Sequence, residues 1–346
     1  MSAIEARQMK ALQLDGVGFD QLHYVDRDVP RPGAGEVLLK MRAASVGLRD
    51  YKVVNGAYAA AEQTRPLIPG GEGMGEIVEL GADVVGLKTG ERVNPVYVQG
   101  WLSGKPHPDL IARNTLGGPL LHGTFAEYLC TRADSVVAVP AHLSDLEAAT
   151  LPFAGLTAWR AIVEHGAIKS GDVVLIQGSG GIPLFALQFA KQFGATVILS
   201  SKSDDKLERA RALGADHVIN YMRTPEWSRA VLDLTDGLGA DLVMDPGGTV
   251  TLSQSIRAVR PGGVISVFNA LSTADVSVYL PYLLGHNVAV HGVNAGSRDA
   301  HRAMAHAMGI GGIRPVIESV VSLEQGADAI ARAPKAEQFG KACIQI

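Results

Sequence analysis

The feature that most restricts how this chain can fold is a glycine-rich turn, Gln177-Gly178-Ser179-Gly180-Gly181-Ile182-Pro183. It separates the apolar run DVVLIQ from the amphipathic run LFALQFAKQFG. A buried strand that turns sharply and enters a helix gives a G-x-G-x-x pattern its meaning. Gly178 permits the tight turn, and Gly180 lets the main chain approach a pyrophosphate. The helix start then offers unpaired amides and the positive end of its dipole to phosphate. Gly178, Ser179, Gly180, Gly181 and Ile182 are therefore the expected dinucleotide contacts. Pro183 stands at the third glycine position. Proline is tolerated in a first helical turn, where its missing N–H has no helical partner to lose.

The sequence after this turn alternates strand and helix textures. ATVILSS, HVINY, ADLVMD, GGVISVF and VAVHGV read as strands, with SDDKLERARALG, TPEWSRAVLDLT and TLSQSIRAVR as helices between them. Such alternation predicts a parallel sheet covered by helices on both faces. Before it, from about Lys10 to Pro140, short β-rich runs (MKALQL, EVLLKMRAAS, GEIVELG, ERVNPVYV, FAEYLCT, SVVAVP) alternate with glycine and proline, predicting a barrel-like or sandwich-like β unit. Between the two textures, Ser144 and Glu147 fit a capping box. That helix is expected to stop at Pro152, and a second to run from about Leu156 to His165. The tail from about Ile313, with VIESVV and KACIQI, returns to β texture and is expected to rejoin the first unit. The predicted fold is α/β: a β-rich domain of residues 1–150 and 313–346, and a doubly wound domain of residues 151–312.

Composition removes several classes. The net charge of −4 and the scattered basic residues give no footprint for nucleic acid. No apolar run approaches the ~18 residues of a membrane span, and MSAIEARQMK lacks the apolar core of a signal peptide. Cys130 and Cys343 are the only cysteines, too few for a disulfide framework or a cysteine-rich zinc site. A cytoplasmic protein acting on a small molecule is expected.

The second strand of the alternating region bears on which dinucleotide is bound. NAD binders usually end it with an acid that holds the adenosine ribose. Here it ends Leu199-Ser200-Ser201-Lys202, with no acid before Asp204. Serine and lysine suit a 2′-phosphate better than a diol. Asp204 and Asp205 are read as helix-capping residues.

From about Met9 to Ile346 the chain resembles zinc-free members of the medium-chain dehydrogenase/reductase superfamily, on its quinone oxidoreductase and enoyl reductase side. The blocks SVGLRDYKVVNGAY, PGGEGMGEIVELGADV, TGERV, LPFAGLTAW, QGSGGIPLFALQFAK, LGADHVINY and FGKACIQI carry the resemblance. It implies a GroES-like catalytic domain, a Rossmann cofactor domain and a homodimer paired through the strand VAVHGV. In the zinc alcohol dehydrogenases of this superfamily the ligand positions correspond to Gly47, Gly71 and a site near Phe153. Glu72 survives beside Gly71, and the segment Val98 to Gly117, where a structural zinc lobe would lie, has no cysteine. Many relatives carry asparagine at Gly47. Arg49-Asp50 reads as a structural ion pair.

The resemblance further implies that Ser201, Lys206 and Tyr221 bind the 2′-phosphate of NADP(H), that Thr157 lies on the nicotinamide side and that Lys341 reaches the cofactor. Tyr58 matches the proton donor of enoyl thioester reductases. With no zinc to polarise an oxygen, the expected reaction is hydride transfer from NADPH to an activated C=C bond of an enone or quinone-like compound. The alternatives are a zinc-independent alcohol or aldehyde dehydrogenase, and a non-catalytic NADPH-binding protein.

Overall fold

The computed structural model of the protein describes residues 7–57, 66–118, 120–248, 251–269, 278 and 280–346. The chain divides into two compact units, Met1–Phe153 with Ala295–Ile346, and Ala154–Asn294. The return to the first unit comes at Ala295, earlier than the expected residue 313. The reason is the helix Arg298–Gly311, which belongs with the first unit. Its leading amides, of Arg298 and Asp299, donate to the carbonyls of Trp101 and Leu102 at 2.9 and 3.0 Å. Its Ala305 clusters with Val96 and Val137.

In the first unit, β1 (Gln8–Leu14) and β2 (Leu22–Asp28) pair antiparallel. The longest strand, β3 (Glu36–Val46), is followed by β4 (Gly73–Leu80), β5 (Arg92–Pro95), β6 (Tyr128–Arg132) and β7 (Val136–Ala138). Alternate residues of β3 face opposite ways. Val37, Leu39 and Met41 enter a cluster with Ile77, Val93 and Leu129, while Leu38, Ala44 and Val46 enter one with Leu12, Phe125 and Ile344. Burial on both faces explains why β3 reads as an almost continuous apolar run.

In the second unit, β8 (Val173–Gln177), β9 (Thr196–Ser201), β10 (His217–Asn220), β11 (Ala240–Asp245), β12 (Val259–Val267) and β13 (Ala289–Gly292) form a parallel sheet in the order β10-β9-β8-β11-β12-β13. The chain order reverses at β8, between β9 and β11. In open sheets of this kind, ligands bind beyond the carboxyl ends of the strands at such a switch point. β14 (Ile317–Ser322) and β15 (Lys341–Gln345) then rejoin the first unit, β15 lying between β14 and β3.

The expected capping box is present. Ser144 N donates to Glu147 Oε2 at 2.8 Å, and Glu147 N donates to Ser144 Oγ at 3.3 Å. Pro152, however, does not stop a helix. Residues 151–165 are helical throughout, with wide π turns at Leu151–Gly155 and Arg160–His165 on either side of Leu156–Trp159. As second residue of that run, Pro152 removes an amide that the first turn leaves unpaired.

Candidate functional site

Two groups of residues stand out, one in each unit. In the first unit, the end of β3 runs through Ser45 and Val46 into Gly47, which starts the helix Leu48–Val54. Asp50 caps that start, its Oδ2 accepting the Gly47 amide at 2.8 Å. Beside it, Glu72 is 3% exposed and fully engaged. Its Oε1 accepts from Ser45 Oγ at 2.6 Å and from Lys341 Nζ, and its Oε2 accepts from the Phe153 amide at 3.2 Å. Lys341 also donates to the Val46 carbonyl at 3.0 Å. This lysine, at the first position of β15, has buried Glu72 as its counter-ion within the first unit.

Arg49 lies over the ring of Tyr97, its Cζ 4.9 Å from the centroid. Tyr97 in turn meets Phe153 edge-on at 4.9 Å. Gly71 makes this arrangement possible. A Cβ there would stand 3.1 Å from the Tyr97 ring and 3.3 Å from Arg49 Nη1. Arg49 Nη1 and Asp50 Oδ1 are 3.9 Å apart, an ion pair without a hydrogen bond. Burial pushes the Asp50 carboxyl above its ordinary range, and Arg49 and the Gly47 amide pull against that.

Gly47, Gly71 and Phe153 thus border one group of side chains around Glu72. A catalytic zinc takes about three protein ligands. Glycine and phenylalanine offer no donor side chain, and both oxygens of Glu72 are already bonded within the protein. These residues do not fit a zinc ion. Among the described residues, no three His, Cys, Asp or Glu side chains gather to hold a metal.

The second unit carries the glycine-rich turn directly after β8. Gly178 has φ +96°, a conformation that glycine adopts without strain. A Cβ on Gly180 would meet nothing within 4 Å, so the main chain there is open to an incoming group. Gly181 begins the helix Gly181–Gln192, followed by Ile182 and Pro183 in its first turn. The Pro183 ring packs 3.6 Å from where a Cβ would sit on Gly178. Ser179 is buried in the same turn. Thr157 is 1% exposed, and its Oγ1 has no hydrogen-bond partner among the described residues. An open glycine turn at a helix N-terminus and an orphaned hydroxyl fit a dinucleotide with a pyrophosphate and a polar ring.

Ser201 and Tyr221 are brought together where β9 and β10 end, the Tyr221 amide donating to the Ser201 carbonyl at 3.2 Å. Lys206 lies in the first turn of the helix Asp204–Ala212 and is 9% exposed. That helix is capped by Ser203, whose Oγ accepts from the Lys206 amide at 3.4 Å, rather than by Asp204 or Asp205. Asp204 accepts from Asn220 Nδ2 at 2.7 Å and pairs with Arg223.

Sequence reasoning passed over two features. One is the Arg49–Tyr97 stack, whose members are 48 positions apart in the sequence; only the bare Gly71 hinted at it. The other is Asp245 at the end of β11. It accepts from the Gly247 amide and Thr251 Oγ1, both at 2.7 Å, and from Ser255 Oγ at 2.5 Å. Gln177 at the end of β8 donates to that same Ser255 oxygen at 2.8 Å. Tyr58, the expected proton donor, lies outside the described residues.

Comparison with known proteins agrees with both units. Residues 33–141 match the family model described as alcohol dehydrogenase GroES-like domain, and residues 181–309 match that described as zinc-binding dehydrogenase. A zinc-type alcohol dehydrogenase-like protein of Schizosaccharomyces pombe is 36% identical over 95% of this chain and 96% of its own length. The crystal structure of a putative alcohol dehydrogenase from Sinorhizobium meliloti superimposes with a TM-score of 0.91 at 34% identity, covering 100% of both chains. That of an NAD-dependent alcohol dehydrogenase gives 0.89 at 31% identity, covering 98% of this chain and 100% of its own.

Proposed function

The chain belongs to the medium-chain dehydrogenase/reductase superfamily, and from that membership we propose that it is a zinc-independent, NADPH-dependent reductase of activated C=C bonds in enone or quinone-like compounds. That it is a nicotinamide-dependent oxidoreductase follows from the family; the bond reduced, the choice of NADP(H) and the independence from zinc are our reading. The observation that carries it is the state of the zinc-ligand positions. Gly47, Gly71 and Phe153 supply no ligand, and Glu72 is committed to Lys341, Ser45 and the Phe153 amide. Without a Lewis acid, an isolated carbonyl is a harder target than a conjugated one.

When bound, the cofactor supplies a hydride. The chain's own residues orient it. The amides of Gly181 and Ile182 and the turn Gly178–Gly180 take the pyrophosphate, Thr157 lies against the nicotinamide, and Ser201, Lys206 and Tyr221 take the 2′-phosphate. Buried Lys341 and Glu72 hold the ends of β3 and β15 in register. Tyr58 is the proposed proton donor. A homodimer paired through β13 completes the proposal.

A second reading, a zinc-independent alcohol or aldehyde dehydrogenase, draws support from the names of the relatives. The test is NADPH consumption with an enone and with the matching saturated ketone. Our reading requires turnover of the enone at least tenfold faster. Equal or faster turnover of the ketone overturns it in favour of the second reading.

A further inference from the structure

Resting on the dinucleotide assignment above, we infer that Asp245 is a positioning residue for the cofactor's pyrophosphate, acting through Ser255 and Gln177 on the glycine-rich turn. Every residue involved belongs to one unit, Ala154–Asn294. Asp245 ends β11 and is completely buried. A carboxylate in such a place is costly unless its oxygens are bonded, and here three donors meet it. Oδ1 accepts from the Gly247 amide and Thr251 Oγ1, both at 2.7 Å, and Oδ2 accepts from Ser255 Oγ at 2.5 Å.

The polarity of the next bond follows from that contact. A carboxylate has no proton to give, and a hydroxyl has one. Ser255 gives its proton to Asp245, so toward Gln177 it can only accept. Gln177 Nε2 donates to it at 2.8 Å, which fixes the orientation of the side-chain amide. Both Ser255 and Gln177 are buried.

Gln177 is the last residue of β8 and stands directly before Gly178. Gly178 and Gly180 have no side chain to anchor them, so the turn is held at its base. The Gly178 amide donates to the Ser200 carbonyl of β9 at 2.8 Å, and the Gln177 side chain is tied to the helix that follows β11. At the far end of the network, Gly247 has φ +74°, and a Cβ there would stand 1.8 Å from the Asn269 carbonyl oxygen. Asp245 thus links the ends of β8, β11 and β12, three neighbouring strands at the switch point. A fully bonded buried network of this kind rigidifies what it joins. A turn already in place when the ligand arrives loses less of the binding free energy to ordering.

The test compares NADPH and NADH with adenosine 2′-phosphate, which carries the adenosine and the 2′-phosphate but no pyrophosphate. Ser255→Ala and Gln177→Met each break the link without touching a residue assigned to the 2′-phosphate. Each should weaken both dinucleotides about tenfold and leave the binding of adenosine 2′-phosphate unchanged. Asp245→Asn, which turns an acceptor facing Ser255 into a donor, should do the same; the two milder variants serve should it not fold. A merely structural network would lower stability without separating the dinucleotides from the fragment. Unchanged dinucleotide binding in folded Ser255→Ala and Gln177→Met overturns the inference and leaves the proposed reaction intact. Equal weakening of adenosine 2′-phosphate overturns it too, since the whole unit is then loosened. Wild type that binds NADH more tightly than NADPH, with both variants still weakening NADH, keeps the positioning role and discards the choice of NADP(H). Wild type that binds neither overturns both.

Discussion

Lys341 and Glu72, 269 positions apart in sequence, form an ion pair with side chains only 8% and 5% exposed. Removing one member of such a pair leaves an uncompensated charge in a medium that solvates it poorly, at a typical cost of about 3–5 kcal/mol. Lys341→Met is therefore expected to lower the unfolding free energy by about that much. The double variant Lys341→Met/Glu72→Gln should recover part of the loss. Urea titrations of the three proteins check both statements; additive losses would show that the two groups do not interact.

The cofactor preference turns on Lys206 and Ser201. A hydrogen bond to a charged group contributes about 1.5–3 kcal/mol, tenfold or more in affinity. Lys206→Ala should weaken NADPH binding roughly tenfold and leave NADH nearly unchanged. Ser201→Asp should go further, repelling the phosphate and offering a carboxylate to the NADH ribose. Dissociation constants for both cofactors decide it, and equal binding of NADH and NADPH by wild type would refute the assignment.

Purified protein is expected to retain its turnover rate after prolonged treatment with a strong chelator. Elemental analysis should find well under one zinc per chain. Stoichiometric zinc whose removal abolishes turnover would contradict the reading of Gly47, Gly71 and Phe153.

His301, on the helix Arg298–Gly311, is completely buried, and neither ring nitrogen has a hydrogen-bond partner among the described residues. Burial pushes its pKa down to about 3 from 6.5. Between those values the unfolded chain binds a proton that the folded chain does not. Stability therefore falls as pH drops through that window, by up to about 1.4 kcal/mol per pH unit from this group. His301→Leu should be less acid-sensitive than wild type between pH 6 and 4. Denaturation curves at several pH values measure the slope; parallel slopes would count against it.

β13 ends the parallel sheet, with Val290 43% exposed. An apolar edge strand invites pairing with another chain, here across a two-fold axis. Light scattering should report a homodimer at micromolar concentration. Val290→Lys, which places a charge on that edge, should shift it toward monomer. A monomeric wild type would remove the proposal.

Much of the second unit was legible because its signals are local. The turn Gly178–Gly181 sits between a buried strand and a helix in sequence as in space, and period alone separates the two. The first unit was legible as strands but not as a site. Lys341 reads as one lysine in a terminal strand until β15 pairs with β3 and places its ammonium on Glu72. Arg49-Asp50 reads as an ion pair, and the 3.9 Å separation and the Tyr97 ring beneath the guanidinium depend on packing that no spacing encodes. Residues 298–311 fell inside the span expected for the second domain for the same reason. The helix they form is held to the first unit by the carbonyls of Trp101 and Leu102, far away in sequence.

The placement of β15 has a consequence for biosynthesis. A chain emerging from the ribosome exposes β3 and Glu72 early, and the strand and cation that complete them come almost three hundred residues later. The segment Ala154–Asn294 is contiguous and has its own core, so all of its strands and helices are made before β15 is. Until Lys341 arrives, Glu72 lacks this counter-ion and β3 lacks the neighbour that β15 supplies. Completion of the group around Glu72 is thus tied to the end of translation, and truncation before β15 should leave the first unit unfinished.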